Sequence, residues 1–192
     1  DRMLDMGFID DITSILDRTP KTRQTMLFSA TFPSQLRKIA DRYMRDRIEV
    51  ETARGLATVS SIAQKFIRVT RHDKLALLRR FLETNPGSAY LIFLNTKLET
   101  SRVGRDLWNR GFDVATLHGG LDQDVRNRIL GDFRAGRVRS LVATDVAQRG
   151  LDIPLVSHVI NVDVPRDPED YVHRIGRTGR AGANGVSISF AC

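Results

Sequence analysis

A chain of 192 residues holds one domain and part of another; with 41% hydrophobic and 28% charged residues it is globular in composition, and no apolar run nears the ~20 residues of a membrane span. The single cysteine, Cys192, excludes an internal disulfide and argues against a cysteine-rich metal site, and an opening that carries Asp1, Asp5, Asp10 and Asp11 is no secretory signal, so a reducing, cytoplasmic setting is expected. The net charge of +7 is uneven, with 10 basic and 9 acidic residues over 1–60 and 20 basic and 14 acidic over 61–192, and 25 of the 30 basic residues are arginine, whose guanidinium grips phosphate with two prongs.

Residues 8–18 repeat apolar groups at helical spacing (Phe8, Ile12, Ile15, Leu16) until Pro20 ends the helix. "QTMLFSA" (24–30) reads as a buried strand. "PSQLRKIADRYM" reads as a helix with Pro33 in its first turn and Leu36, Ile39, Ala40 and Tyr43 on one face. "RIEVE" (47–51) reads as another strand. Residues 52–60 are small, polar and patternless, which makes them a linker between a first domain portion, 1–51, and a second domain, 61–192.

Beyond the linker, strands and helices alternate. "IAQKFIRVT", "AYLIFLN", "DVATL", "RSLVAT", "VSHVINV" and "GVSISFA" read as strands. The first four are separated by helices around Leu75–Leu82, Leu98–Trp108 and Val125–Phe133, and "DPEDYVHRIG" starts a helix with an Asp cap and Pro168 in the first turn. Such alternation predicts an α/β fold, a parallel sheet flanked by helices. In "GVSISFA" serines alternate with Val186, Ile188 and Phe190, which predicts one less buried face.

Ligands in such folds sit at the carboxyl ends of the strands, and four predicted strand ends carry polar motifs. These are Ser29-Ala30-Thr31, Asn95-Thr96-Lys97, His118-Gly119-Gly120 and the run Thr144 to Asp152. Each alone is an ordinary turn; together they suit a nucleic-acid backbone, whose phosphates accept bonds from hydroxyls and amides without base readout. Thr96 and Thr144 are well placed for this, and Gln123 and Arg126 share one helical turn that adds a side-chain clamp. Aromatic residues are only 7% of the chain and lie mostly on apolar faces, so backbone tracking is expected rather than base stacking. The last motif, "HRIGRTGRAG", repeats arginine at 174, 177 and 180 and glycine at 176, 179 and 182, a spacing that suggests an anion, phosphate above all.

In this order and with these gaps, "SAT", "QDVR", "ATDVAQRGLD" and "HRIGRTGR" resemble the motifs of DEAD-box ATP-dependent RNA helicases of the bacterial type. "DRMLDMGF" is similar to the segment that follows the Asp-Glu-Ala-Asp box, with Asp1 matching the last Asp. The resemblance covers essentially the whole chain. It implies the end of a first RecA-like domain followed by most of a second, with ATP and RNA bound in and across the cleft. It assigns Arg177 and Arg180 to the γ-phosphate, Asp152 to the ribose and Arg149 to the same nucleotide group, while Arg174 is expected to be structural. It assigns His173, with Asp1, Ser29 and Thr31, to the coupling of hydrolysis to RNA binding, and Thr96, Arg126 and Thr144 to the RNA backbone, where Gln123 is expected beside Arg126. ATP with Mg²⁺ is the implied cofactor, RNA the implied partner, and neither a metal site of its own nor a membrane contact is implied for this chain. Gln148 departs from the small residue usual at its position.

A P-loop needs Gly-Lys-Ser/Thr, and none of Lys21, Lys38, Lys65, Lys74 and Lys97 follows a glycine. The chain is therefore expected not to hydrolyse ATP by itself. The alternatives are a non-catalytic RNA-binding half-protein or adaptor, and a DNA translocase of the same superfamily, which the family's use of the 2′-hydroxyl would separate from an RNA enzyme.

Overall fold

The computed structural model describes residues 7–29, 32, 34–50, 61–145, 156–179 and 183–192. The predicted linker 52–60 lies outside them. The chain divides into two compact units, Asp1–Ala57 and Thr58–Cys192.

The described residues of the first unit form two helices, α1 (Ile9–Arg18) and α2 (Ser34–Tyr43). α1 stops two residues before Pro20, with Thr19 extended, because a residue preceding proline avoids helical ψ. α2 buries Leu36 and Ala40, and Tyr43 at its end donates its hydroxyl proton to Asp17 of α1 at 2.9 Å.

The strands expected at "QTMLFSA" and "RIEVE" do not form over their described residues, 24–29 and 47–50. Met26, Phe28, Ile48 and Val50 are 69%, 85%, 87% and 82% exposed. An apolar run becomes a strand only when a neighbouring backbone completes its hydrogen bonds, and no described segment of this unit does so. A groove of about 790 Å³ results, walled by Met26, Leu27, Phe28, Tyr43, Ile48 and Val50 among others.

The second unit meets the α/β expectation. In chain order it runs β1 (Ile62–Arg68), α3 (Lys74–Thr84), β2 (Tyr90–Phe93), α4 (Lys97–Asn109), β3 (Val114–Leu117), α5 (Gln123–Arg134), β4 (Ser140–Ala143), β5 (His158–Asn161), α6 (Pro168–Ile175) and β6 (Gly185–Ala191). The six strands form one sheet in the order β1-β6-β5-β2-β4-β3, and every pairing is parallel.

The pleat sends alternate side chains to opposite faces, and both faces are covered. Tyr90 and Ile92 of β2 join Leu78 and Leu82 of α3 and Leu107 of α4 on one side. Leu91 and Phe93 join Leu130 and Phe133 of α5 on the other. The less buried face expected of β6 is not observed: Ser187 and Ser189 are fully buried. β6 lies between β1 and β5 rather than at an edge, and Ser189 accepts a bond from Asn161 Nδ2 at 3.1 Å. The serine alternation therefore marks buried positions and not solvent.

Candidate functional site

β2 is flanked by β4 and β5, which the chain reaches from opposite directions. This reversal is where an open parallel sheet leaves a crevice at its carboxyl ends. Asn95, Asp145, Asn161 and Asp163 stand there, and the crevice is filled by one side chain, Arg174, which α6 delivers fully buried.

Arg174 uses every guanidinium donor. Its Nε donates to Asp145 Oδ1 at 2.7 Å and its Nη2 to Asp145 Oδ2 at 2.6 Å, a two-pronged ion pair. Nη2 also donates to Asn95 Oδ1 at 2.9 Å. Nη1 donates to the Asp163 carbonyl at 2.5 Å and to Asn161 Oδ1 at 3.3 Å. Its charged carbon lies 4.9 Å from the centre of the Phe93 ring, a cation–π distance. A buried charge is tolerable only when paired and hydrogen-bonded, and this one is satisfied by the ends of three strands at once.

A second polar layer surrounds it. Asp163 accepts from Lys74 Nζ at 3.0 Å and from the Asn95 amide at 3.3 Å. Thr96 is the N-cap of α4: its hydroxyl oxygen accepts the Glu99 amide at 3.2 Å and its hydroxyl donates to the Glu99 carboxylate at 3.3 Å. His118, just past β3, receives the Gly120 amide on Nδ1 at 3.2 Å. Its Nε2 faces Ser101 Oγ at 3.0 Å, and Ser101 donates to the Lys97 carbonyl at 3.0 Å. This chain ties the loop before α5 to the first turn of α4.

Of the residues read as RNA contacts, Thr96 and Gln123 are exposed, Arg126 is half-buried and Thr144 is 7% exposed. Gln123 accepts from Arg126 Nη1 at 3.1 Å and donates to Asn127 at 3.1 Å, so both lie on one turn at the start of α5. The Thr144 amide donates to the Leu117 carbonyl at 3.2 Å, which fixes the end of β4 against that of β3. All four therefore belong to the carboxyl edge of β2, β3 and β4.

The arginine turn lies elsewhere. α6 runs back from that edge, and the turn after it, Gly176 to Gly179, abuts the amino ends of β5, β6 and β1. The Thr178 hydroxyl donates to the Val156 and Ser157 carbonyls at 2.5 and 3.1 Å. Ser61 Oγ donates to the Gly179 carbonyl at 2.6 Å, and the Val156 amide to the Arg177 carbonyl at 3.2 Å. Gly179 has φ +66, and an added Cβ would sit 2.5 Å from Ile62 Cγ1. Arg177 is half-buried on this pinned turn, and His173 is half-buried on α6 one residue before the hub.

Ser29 is exposed in the first unit. Asp1, Thr31, Arg149, Asp152 and Arg180 lie outside the described residues. Among the described residues no three His, Cys, Asp or Glu side chains cluster as metal ligands would, and no helix is long and apolar enough to cross a membrane.

The hub was not singled out as a site by sequence. Its signals were an arginine on the apolar stripe of α6, beside Ile175, and Asn161 inside the apolar run of β5. Each is a polar side chain where periodicity demands an apolar one.

Comparison with known proteins agrees with the fold and the motifs. The family model for the helicase conserved C-terminal domain matches residues 73–182, and that for the DEAD/DEAH box helicase matches residues 1–39. The chain is 46% identical over 190 residues to the DEAD-box ATP-dependent RNA helicase CshA of Bacillus subtilis, covering 99% of this chain and 38% of that protein. It is 45% identical to the CshA of Geobacillus kaustophilus, again over 99% of the chain and 41% of the relative. The chain thus spans about two fifths of the length of these curated relatives. The solved structure of Saccharomyces cerevisiae Dbp5 bound to RNA and ADP BeF3 superimposes with a TM-score of 0.85 at 35% identity, covering 96% of this chain and 49% of that one. With a parallel RecA-like sheet, the four motifs in order and both family models matched, the chain belongs to the DEAD-box helicase family.

Proposed function

We propose that this chain supplies the RNA-gripping second domain and the arginine fork of an ATP-dependent RNA helicase that locally unwinds duplexes or remodels RNA–protein complexes. The observation that carries the proposal is the Arg174 hub. It joins the strand ends bearing Thr96 and Thr144 to the helix bearing His173, and the next turn bears Arg177.

Thr96, Gln123, Arg126 and Thr144 hold one RNA strand by its phosphates and sugars, which suits a sequence-tolerant enzyme. Arg177, with Arg180, presents guanidinium groups to the nucleotide's phosphates. The residues fit that group in part: the turn is pinned at Thr178 and Gly179, and a planar fork matches phosphate oxygens. Asp152 and Arg149 complete the nucleotide side. ATP with Mg²⁺ supplies the phosphoryl group whose loss resets the cycle, and its P-loop must come from a segment this sequence does not contain. His173, Asp1, Ser29 and Thr31 are assigned to transmitting RNA occupancy to that step.

The reading predicts that the 192 residues alone do not turn over ATP, and that a form carrying a P-loop binds RNA more tightly with a non-hydrolysable ATP analogue. The test is fluorescence anisotropy with matched RNA and DNA strands, with and without the analogue. Nucleotide-dependent preference for RNA supports it. RNA affinity indifferent to nucleotide sinks it in favour of a non-catalytic adaptor, and equal affinity for DNA points to a translocase.

A further inference from the structure

We infer that Arg174 is a positioning residue, and that Asn95 is the contact through which the RNA-side edge of the sheet sets the turn carrying Arg177. This rests on the function proposed above and names a mechanism within it.

Three arginines in "HRIGRTGR" fall at equal spacing, yet the two described ones, Arg174 and Arg177, have different surroundings. Arg174 points inward and is spent on five internal bonds, whereas Arg177 stands half-buried on the turn that follows. The two are mechanically joined. The Arg177 amide donates to the Arg174 carbonyl at 3.1 Å and the Thr178 amide to the Ile175 carbonyl at 3.0 Å, so a shift of Arg174 along its crevice moves the start of the turn.

The five bonds differ in stiffness. Asn161 is fully buried and itself held by Ser189, the Asp163 carbonyl is backbone, and Asp145 is locked by two prongs. Asn95 is the exposed partner. It sits immediately before Thr96, its amide donates to Asp163 Oδ2 at 3.3 Å, and its Nδ2 donates to the Val164 carbonyl at 3.3 Å. A phosphate drawn to Thr96 and the first turn of α4 pulls on the residue that holds Arg174 Nη2. The route is contiguous: Thr96, Asn95, Arg174, Arg177. It requires a fork with donors in fixed directions, which lysine lacks.

Asn95→Ala removes the bond to Arg174 Nη2 and the bond to the Val164 carbonyl and leaves the Asp145 pair intact, so the fold survives. Asn95→Asp restores the acceptor for Nη2 without the donor to Val164. The first measurement is native-state hydrogen exchange on the 192-residue chain. Asn95→Ala is expected to speed exchange of the Arg177 and Thr178 amides about tenfold, the low end for a hydrogen bond to a charged group, with β3 and α5 unchanged and Asn95→Asp close to wild type. The second measurement, on a P-loop-bearing form, is the ratio of RNA affinities with and without an ATP analogue. Asn95→Ala is expected to lower that ratio about tenfold and Asn95→Asp to recover it. Uniformly faster exchange across the unit, or an unaltered ratio, makes Asn95 merely structural and overturns the inference. If the wild type itself shows no ratio above one, the helicase reading fails, and the exchange experiment still decides whether Asn95 sets the turn.

Discussion

Gly179→Ala isolates the turn that carries the arginine fork. Two costs are worked from the structure. The backbone sits at φ +66, a left-handed conformation that costs an L-residue roughly 1–2 kcal/mol. The new Cβ would lie 2.5 Å from Ile62 Cγ1 and 3.1 Å from Ser61 Oγ, and Ile62 is 6% exposed at the start of β1, so relief requires an overpacked core to shift, about 1–3 kcal/mol. The sum is about 3 kcal/mol. With a urea slope of about 1–3 kcal/mol per molar, the midpoint falls by roughly 1.5 M. Trp108, the sole tryptophan, lies on α4 in the second unit, so its fluorescence reports on that unit, with circular dichroism as a second probe. Gly136→Ala is the control: φ is +69 there, and no atom stands within 4 Å of the added Cβ. It carries the backbone cost alone, about 1 kcal/mol. Equal midpoints for the two variants would refute the packing argument, and no loss in either would refute both parts.

Other expectations follow from the same contacts. Arg174→Met should destabilise the second unit by about 3–5 kcal/mol, because Asp145 loses its two-pronged guanidinium in a mostly buried site, and urea titration reads it directly. Arg174→Lys should recover only part of that loss, since three rotatable donors cannot serve five directions. Thr96→Ala removes the α4 cap and should cost about 1 kcal/mol; if Thr96 also touches RNA, affinity falls by more than the cap accounts for. Burial lowers the His158 pKa below its ordinary value, with Lys65 adding to the shift. Its neutral form is favoured by folding, so stability is full above the unfolded pKa near 6.5 and declines as pH falls through the lower folded value. Melting at pH 5 and pH 7.5 should show this difference in the wild type and a smaller one in His158→Gln.

The sheet was legible because its strands announce themselves. "YLIF" and the "LVA" of β4 are apolar at every position, as strands covered on both faces must be, and the helices between carry apolar groups at i, i+3 and i+4. What sequence misread was each place where a neighbour decides. Residues 24–29 and 47–50 have the composition of strands but no described partner to pair with. Ser187 and Ser189 look like a wet face and are buried because β6 is interior. The site was legible in part. Thr96, Gln123, Arg126 and Thr144 do gather at one edge, as strand-end logic requires. The arginine turn does not share that edge, because α6 runs back along the sheet. Arg174, one member of the arginine repeat, reads as structural in the sequence. Only the positions of Asn95, Asp145, Asn161 and Asp163, far apart in sequence, show that its charge faces inward.

The central claim is that Arg177 serves ATP chemistry coupled to RNA. The most direct measurement is steady-state ATP hydrolysis, with and without RNA, by a P-loop-bearing form of the protein and its Arg177→Ala variant. The account predicts RNA-stimulated turnover in the wild type and a loss of roughly 10³-fold or more in the variant, the scale of a phosphoryl-transfer arginine, with melting temperature unchanged. A variant that hydrolyses ATP at the wild-type rate would contradict it.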